Sequence, residues 1–188
     1  MLTRDEVRAI LAGMRGVPGL CAALLYGAGL RLMECLELRV KDLDFTRGEI
    51  VVRDGKRGKD RVTMLPRGAK DRLLAHLKSV RQLHQQDLTE GAGTVALPDA
   101  LARKYPNAAR EWGWQWVFPA SSRHVDKDLR IQRRHHLHES VVQKGMKEAV
   151  RHCGTPKSAT CHSLRGTCAG YVSAKYASPR DRVPKVYS

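Results

Sequence analysis

The sequence lacks the features that would direct it to a membrane, to a secretory pathway or to a metal ion. It contains no long apolar run, and residues 1–6 turn polar at once, so we expect neither a membrane span nor a signal peptide. The five cysteines are odd in number and form no C-x-x-C pair, which favours free thiols in a reducing compartment. We therefore expect a cytoplasmic protein without a metal or a nucleotide cofactor.

Acidic residues are scarce relative to basic ones. The chain has 34 Lys and Arg against 19 Asp and Glu, which gives a formal net charge of +15. In an otherwise globular composition this imbalance favours a polyanionic partner, most simply nucleic acid, although a merely basic soluble protein has the same bulk charge. The length of 188 residues suits one domain, or one domain with an insertion.

The spacing of apolar residues predicts a mainly helical chain. Thr3-Arg4-Asp5-Glu6 is a capping-box sequence that should begin a first helix. Further apolar runs at helical spacing predict helices at residues 17–26, 30–38, 67–86 and 139–153.

One β-hairpin and one irregular segment interrupt these helices. Two β-rich runs, 49–53 and 61–65, flank a tip rich in Gly and Lys. Between residues 87 and 138, Gly, Pro, Trp and basic residues become frequent. This segment is too long for an ordinary connection, so it indicates an insertion with short elements of its own.

Two arginines and a histidine stand where they could hold one phosphate. Arg31 follows the turn Gly27-Ala28-Gly29 at a predicted helix start, and Arg165 has His162 three residues before it on the same helical face. Guanidinium groups make bidentate contacts with phosphate oxygens, and a helix start adds attraction for an anion. Lys56, at the hairpin tip, could protonate a leaving oxygen. A capping role for His162 is the alternative.

Other interpretations of these residues are possible. The turn Gly27-Ala28-Gly29 lacks the third glycine of a dinucleotide-binding fingerprint, and the spacing of Cys153, Cys161 and His162 fits no common zinc pattern. The tryptophans at 112, 114 and 116 are either a local core or a base-stacking platform. A basic cluster is either a solvated face or a phosphate track, and the net charge favours the track. Its members are Arg130, Arg133, Arg134, His135, His136 and His138.

Together these motifs resemble the tyrosine site-specific recombinases. The resemblance covers residues 1 to about 165, and the insertion, with Trp112-Gly113-Trp114-Gln115-Trp116, is similar to that of the integron integrases. It is carried by Gly29-Leu30-Arg31-x-x-Glu34, by Gly55-Lys56-x-Gly58-Lys59-Asp60-Arg61 and by His162-x-Leu164-Arg165.

The resemblance implies an α+β fold: a mainly helical catalytic domain, incomplete here, over residues 1–165, with a small antiparallel hairpin or sheet and an insertion at about 87–138. It implies DNA cleavage and rejoining through a 3′-phosphotyrosyl link, with no cofactor or metal. The partners would be attachment-site DNA, including folded single strands gripped by the insertion, and further copies of the chain. The roles that follow are catalysis by Arg31, Lys56, His162 and Arg165, support by Glu34, and phosphate binding by Lys59 and Arg61.

The sequence departs from the family pattern after Arg165. Family members continue through an apolar helix, a Gly-His-like motif and the nucleophilic tyrosine, whereas nothing after residue 165 matches, and Tyr171, Tyr176 and Tyr187 lack the surrounding motif. We therefore expect residues 166–188 to be an atypical, poorly ordered tail, as a frameshift near Gly166 would produce. The helical core-binding domain that precedes the catalytic domain in the family is not seen here either. A non-catalytic DNA-binding fragment is the alternative function.

Overall fold

The computed structural model describes residues 2–53, 60–97, 99–105, 107–126, 130–154, 157 and 159–165. Predictions for Lys56, Lys59 and the tail 166–188 lie outside these residues. The helices are α1 (Arg4–Gly13), α2 (Gly16–Ala28), α3 (Leu32–Leu36), α4 (Arg67–Thr89), α5 (Asp99–Lys104) and α6 (Glu139–His152), and a last helical turn covers 161–165. The strands are β1 (Leu43–Asp44), β2 (Glu49–Val52), β3 (Arg61–Met64), β4 (His124–Val125) and β5 (Gln132–Arg133).

The capping box at the start of α1 is confirmed. The Thr3 hydroxyl accepts from the Glu6 backbone N–H at 3.2 Å, and the Glu6 carboxylate accepts from the Thr3 N–H at 2.7 Å. Val7 and Ile10 then point into a core shared with α2 and α6. Burial of this apolar stripe fixes the rotation of α1 about its axis.

Helix α3 is shorter than the sequence predicts, and the predicted helix through residue 38 is wrong. Beyond Leu36 the backbone turns to pair with the insertion: the Leu38 carbonyl accepts from Val117 N–H at 2.9 Å, and Val40 N–H donates to the Gln115 carbonyl at 3.0 Å. These long-range hydrogen bonds replace the helical ones that local propensity favours.

The predicted hairpin is confirmed, and a strand that the sequence did not reveal joins it. The antiparallel sheet has the order β1-β2-β3. Ile50 and Val52 face the core and are almost fully buried, while the Thr63 hydroxyl donates to the Ala28 carbonyl at 2.9 Å. Close packing continues at Gly27, where a Cβ would lie 2.4 Å from Pro66 Cγ. The hairpin is therefore held against the end of α2.

The segment after α4 contains short elements of its own, as predicted. Strands β4 and β5 pair antiparallel, and 3₁₀ turns cover Ala108–Arg110 and Trp112–Trp114. Arg39 fastens this segment to the region after α3: its guanidinium donates to the Trp114 and Ala96 carbonyls at 2.8 and 2.9 Å and lies 3.1 Å from the centre of a ring of Trp116. Trp116 is buried, so it serves as local core.

Within the described ranges, no helix is both long and apolar enough to cross a membrane. Cys21, Cys35 and Cys161 are buried as free thiols where α2, α3 and the 161–165 turn meet. A hydrogen bond from Cys21, together with burial, raises the pKa of the Cys35 thiol well above its ordinary value. These three side chains are therefore small core residues that hold the last helical turn in place.

Candidate active site

Arg31 is presented by the turn between α2 and α3. Helix α2 ends at Gly29, whose φ of 65° lies in the left-handed region that glycine adopts without strain. Leu30 is buried, and Arg31 begins α3 as its N-cap residue. The Arg31 backbone N–H donates to Glu34 Oε2 at 2.7 Å and its Nη1 donates to Oε1 at 2.9 Å. Both backbone and guanidinium are thus fixed by one carboxylate.

Glu34 joins Arg31 to the hairpin. Arg61, the first residue of β3, donates from Nη1 and Nη2 to the two Glu34 oxygens at 2.9 and 2.7 Å. Burial raises the pKa of Glu34, but the hydrogen bonds from Arg61 and from the Arg31 backbone, with the charges of both arginines, outweigh it and bring the pKa to about 2. The carboxylate therefore stays ionised at neutral pH and keeps both guanidinium groups oriented.

Arg165 reaches the same turn from the far end of the chain. Its Nε donates to the Gly29 carbonyl at 3.1 Å. The helical turn that carries it starts with a backbone N–H of Thr160 donating to Ser163 Oγ at 3.1 Å, and it is held down by Leu164, which is fully buried. Arg31 and Arg165, 134 positions apart in the sequence, are thereby brought to one place.

The predicted residues of this region line one cleft of about 530 Å³. Arg31, exposed His162 and Arg165 are among the residues that line it, whereas Lys56, the fourth residue expected at the phosphate, lies outside the described residues. Helix α6 contributes Gln143 and Lys147 to the lining, and neither residue was expected there from the sequence. In the sequence, these two residues are marked only by lying four positions apart on a predicted helix whose apolar face was already assigned to the core.

The base of the hairpin has a second anchor, which the sequence analysis also missed. Arg53 Nε donates to Asp42 Oδ1 at 2.6 Å, and Asp42 is buried. Asp42 also accepts from the Arg39 N–H at 3.0 Å, so the pattern Arg39-x-x-Asp42 repeats the backbone contact of Arg31-x-x-Glu34. This repeated spacing of an arginine and an acid was visible in the sequence.

The expected phosphate track divides into two groups. Arg133 pairs with Asp126 at 3.1 Å, and Arg134 pairs with buried Asp87 of α4 at 2.6 Å, so both guanidinium groups are engaged in ion pairs. Arg130 and His135, in contrast, are exposed. The described residues of the cluster therefore do not form a continuous track of free cations.

His136 belongs with the engaged group. Its ring lies edge-on to Trp116, with ring centres 5.3 Å apart, and 4.0 Å from the ring of His135. Its Nε2 is 3.9 Å from Glu37 Oε1. His135 is exposed overall, but its ring packs on one side against Trp116 and His136; this partial burial, together with the charge of His136, lowers the pKa of His135. Among the residues that the structure describes, no three His, Cys, Asp or Glu side chains are grouped as a metal ion requires.

Comparison with known proteins identifies the fold. The structure is similar to the crystal structure of XerA recombinase, with a TM-score of 0.59 and 19% identity over 93% of this chain and 50% of that one. It is also similar to a lambda integrase dimer bound to a COC′ core site, with a TM-score of 0.55 and 15% identity over 93% of this chain and 52% of that one. The fold is the tyrosine-recombinase catalytic domain: an α+β, mainly helical arrangement with a small antiparallel sheet.

Sequence comparison identifies the family. Integrase/recombinase proteins of Escherichia coli and Pseudomonas aeruginosa are each 46% identical over 169 residues, which is 90% of this chain and 50% of each relative. A tyrosine recombinase XerA of Thermococcus kodakarensis is 46% identical over 81 residues, 42% of this chain and 29% of that protein. The chain thus spans about half the length of the first two relatives. The model of the Phage integrase family matches residues 1–180. The match thus extends past Arg165, the residue at which we expected the resemblance to end. The chain therefore belongs to the Phage integrase family.

Proposed function

We propose that this chain binds DNA and holds a scissile phosphate for site-specific strand cleavage and rejoining, with Arg31, Lys56, His162 and Arg165 around that phosphate. The observation that carries the proposal is the hydrogen bond from Arg165 Nε to the Gly29 carbonyl, which brings the second arginine to the turn that presents the first. Two guanidinium groups in one cleft suit a phosphodiester, because together they can contact both non-bridging oxygens.

The geometry suggests how each group acts. Negative charge grows on the non-bridging oxygens in the transition state, and prepositioned cations stabilise it there. Ionised Glu34 holds the Arg31 and Arg61 guanidinium groups without desolvating them completely, since their side chains stay 38% and 35% exposed. His162, exposed on the cleft wall, is free to donate to a phosphate oxygen or to move a proton.

The covalent step needs a tyrosine. Its hydroxyl would give its proton to His162 as the oxygen forms a bond to phosphorus, the bond from phosphorus to the 5′ oxygen would break, and Lys56 would give the leaving oxygen a proton. Tyr171, Tyr176 and Tyr187 are the tyrosines after Arg165, and none has the family motif around it. We propose that the chain alone binds the phosphate without forming the phosphotyrosyl link.

The DNA partner is proposed to be an integron-type attachment site, including its folded single-stranded form, bound by several copies of the chain. Support for an integron-type site comes from the Trp-rich insertion, and the name integrase/recombinase of the two relatives at 46% identity supports a recombination site in general. Exposed Arg130 and His135 are the members of the basic cluster best placed to meet such DNA, and Lys59 remains a proposed phosphate contact of the hairpin. Arg61, which is paired with Glu34 but partly exposed, would contact a phosphate only alongside that pair.

A denaturing-gel assay tests these proposals. The protein is incubated with end-labelled attachment-site DNA, and binding is measured in parallel. We expect salt-sensitive binding and no covalent adduct. An adduct that disappears when Tyr171, Tyr176 or Tyr187 is changed to Phe would show that the chain carries its own nucleophile. Binding that is indifferent to salt would contradict the DNA-binding function itself.

A further inference from the structure

The α6 wall of the cleft carries two polar side chains that the proposed chemistry does not use. Gln143 and Lys147 line the cleft together with Met146. Both polar side chains are exposed, whereas Met146 is 1% exposed. A spacing of four residues stacks Gln143 and Lys147 one above the other on the same helix face.

The rotation of α6 fixes this arrangement. Val142, Met146 and Ala149 are all buried in the core, so the helix cannot turn about its axis without exposing them. Gln143 and Lys147 each follow a buried residue by one position, which places them at the edge of the apolar stripe. The packing of α6 against the core therefore fixes the position of Gln143 and Lys147 beside the cleft.

Lys147 keeps its charge available. Within the described part of the chain it makes no ion pair and no hydrogen bond, whereas Lys157 pairs with Glu6 at 3.1 Å and Lys70 donates to the Phe45 carbonyl at 3.0 Å. An unpaired ammonium at the edge of a cleft that already holds two arginines raises the local positive potential. Such clustering is unfavourable unless an anion is shared among the cations.

Part of the cleft lining is apolar. Leu30 and Leu32, on either side of Arg31, line the cleft together with Met146 and Ala159. A single phosphate ion bound by the arginines would leave these apolar residues without a matching partner. A nucleic acid strand has the matching chemistry, because each sugar between two phosphates presents an apolar face while the phosphates present charge.

We infer that Lys147, assisted by the Gln143 amide, binds a second backbone phosphate of the same DNA strand whose scissile phosphate lies against Arg31 and Arg165. This inference rests on the proposed function and adds a strand-positioning residue to it. Lysine suits the role because its ammonium is a compact point charge that tolerates variation in phosphate position. Its contact fixes the register of the strand in the cleft and carries no sequence information.

The salt dependence of DNA binding tests the inference. Fluorescence anisotropy of a labelled duplex is measured over a series of salt concentrations for the wild type, K147Q and K144Q. Lys144 is the matched control, since it is exposed on the same helix but does not line the cleft. Each phosphate neutralised contributes about 0.9 to the slope of log K against log salt. We expect K147Q to lose about that amount, K144Q to keep the wild-type slope, and K147R to restore it.

The outcomes separate this inference from the function on which it rests. Equal slopes for K147Q and K144Q, with salt-sensitive binding by the wild type, would overturn the role of Lys147 and leave the proposed function intact. Wild-type binding without salt dependence would overturn both. Because both lysines are exposed, we expect the variants to unfold at the same midpoint temperature as the wild type. A thermal unfolding measurement checks this and verifies that the variants are folded.

Discussion

Two carboxylates in this protein are each held by a pair of arginines, and the two pairs differ in the exposed fraction of the arginine side chains. Around Glu34 the arginine side chains are 38% and 35% exposed, whereas around Asp87 they are 22% and 11% exposed. Both carboxylates are well shielded, at 9% and 4%. The two pairs are Arg31 with Arg61, and Arg123 with Arg134.

The Asp87 pair uses its hydrogen-bonding capacity inside the fold. Arg134 donates from Nε and Nη2 to the two Asp87 oxygens at 2.6 and 3.0 Å, and from Nη1 to the Ala120 and Ser121 carbonyls at 3.0 and 2.7 Å. Arg123 donates to Asp87 at 2.9 Å and also pairs with Glu90. These contacts attach the insertion to the end of α4, and few donors are left for a ligand.

The Glu34 pair is built differently. Arg31 and Arg61 each contact the carboxylate while more than a third of each side chain stays exposed, and Arg31 also lines the cleft that Arg165 lines. The comparison shows that an arginine paired with a carboxylate is structural when its remaining donors are satisfied, and available for binding when they face solvent. The presence of an ion pair alone therefore does not tell a structural arginine from one that is available for binding.

The largest effect is expected from Asp87→Asn. Removing this charge leaves Arg134, whose side chain is 11% exposed, without a carboxylate, while Arg123 keeps Glu90. Breaking a buried ion pair in this way costs about 3–5 kcal/mol of unfolding free energy. Chemical denaturation measures it, with exposed Asp71→Asn on the same helix as the control. A loss no larger than that of the control would show that the Asp87 pair is not structural.

Glu34→Gln is expected to cost less stability, about 2–3 kcal/mol, because its arginines can turn to water when the charge is lost. The same variant should weaken DNA binding, since Arg31 loses its orientation. Denaturation and DNA titration on one preparation measure both quantities. A DNA affinity equal to that of the wild type would show that Glu34 does not orient Arg31 for DNA binding.

Replacing one arginine of each pair tests the comparison directly. Arg31→Ala should weaken DNA binding roughly tenfold to a hundredfold, the value of a hydrogen bond to a charged group, with a small change in stability. Arg134→Ala should lower the unfolding free energy and, at a temperature where the variant is folded, leave the affinity nearly unchanged. The reverse pattern would contradict the assignment of roles.

The pH dependence of stability gives a smaller, graded effect. The pKa of Glu34 is lowered to about 2 in the folded protein from the ordinary value of 4.5. Its contribution is therefore complete above about pH 4.5 and is lost as the pH falls toward 2. The difference in unfolding free energy between the wild type and Glu34→Gln should shrink over this interval. A difference that stays constant from pH 6 to pH 3 would show that the carboxylate is not held as described.

Local signals in the sequence predicted local structure well. The capping box at Thr3 and the hairpin both depend on neighbours in the chain. The end of α3 and the engagement of Arg134 did not follow from the sequence. Leu38 leaves the helix to pair with Val117, and Arg134 finds Asp87 47 residues earlier. Such partners exist only after the insertion folds back onto α4.

The salt dependence of DNA binding by the wild type and by the double variant R31A/R165A tests the central claim most directly. Both side chains line the cleft, and each arginine that neutralises a phosphate contributes to the slope of log K against log salt. We expect a steep slope for the wild type and a clearly shallower one for the double variant, with weaker binding at every salt concentration. Equal slopes and equal affinities would mean that the DNA phosphates do not bind in this cleft.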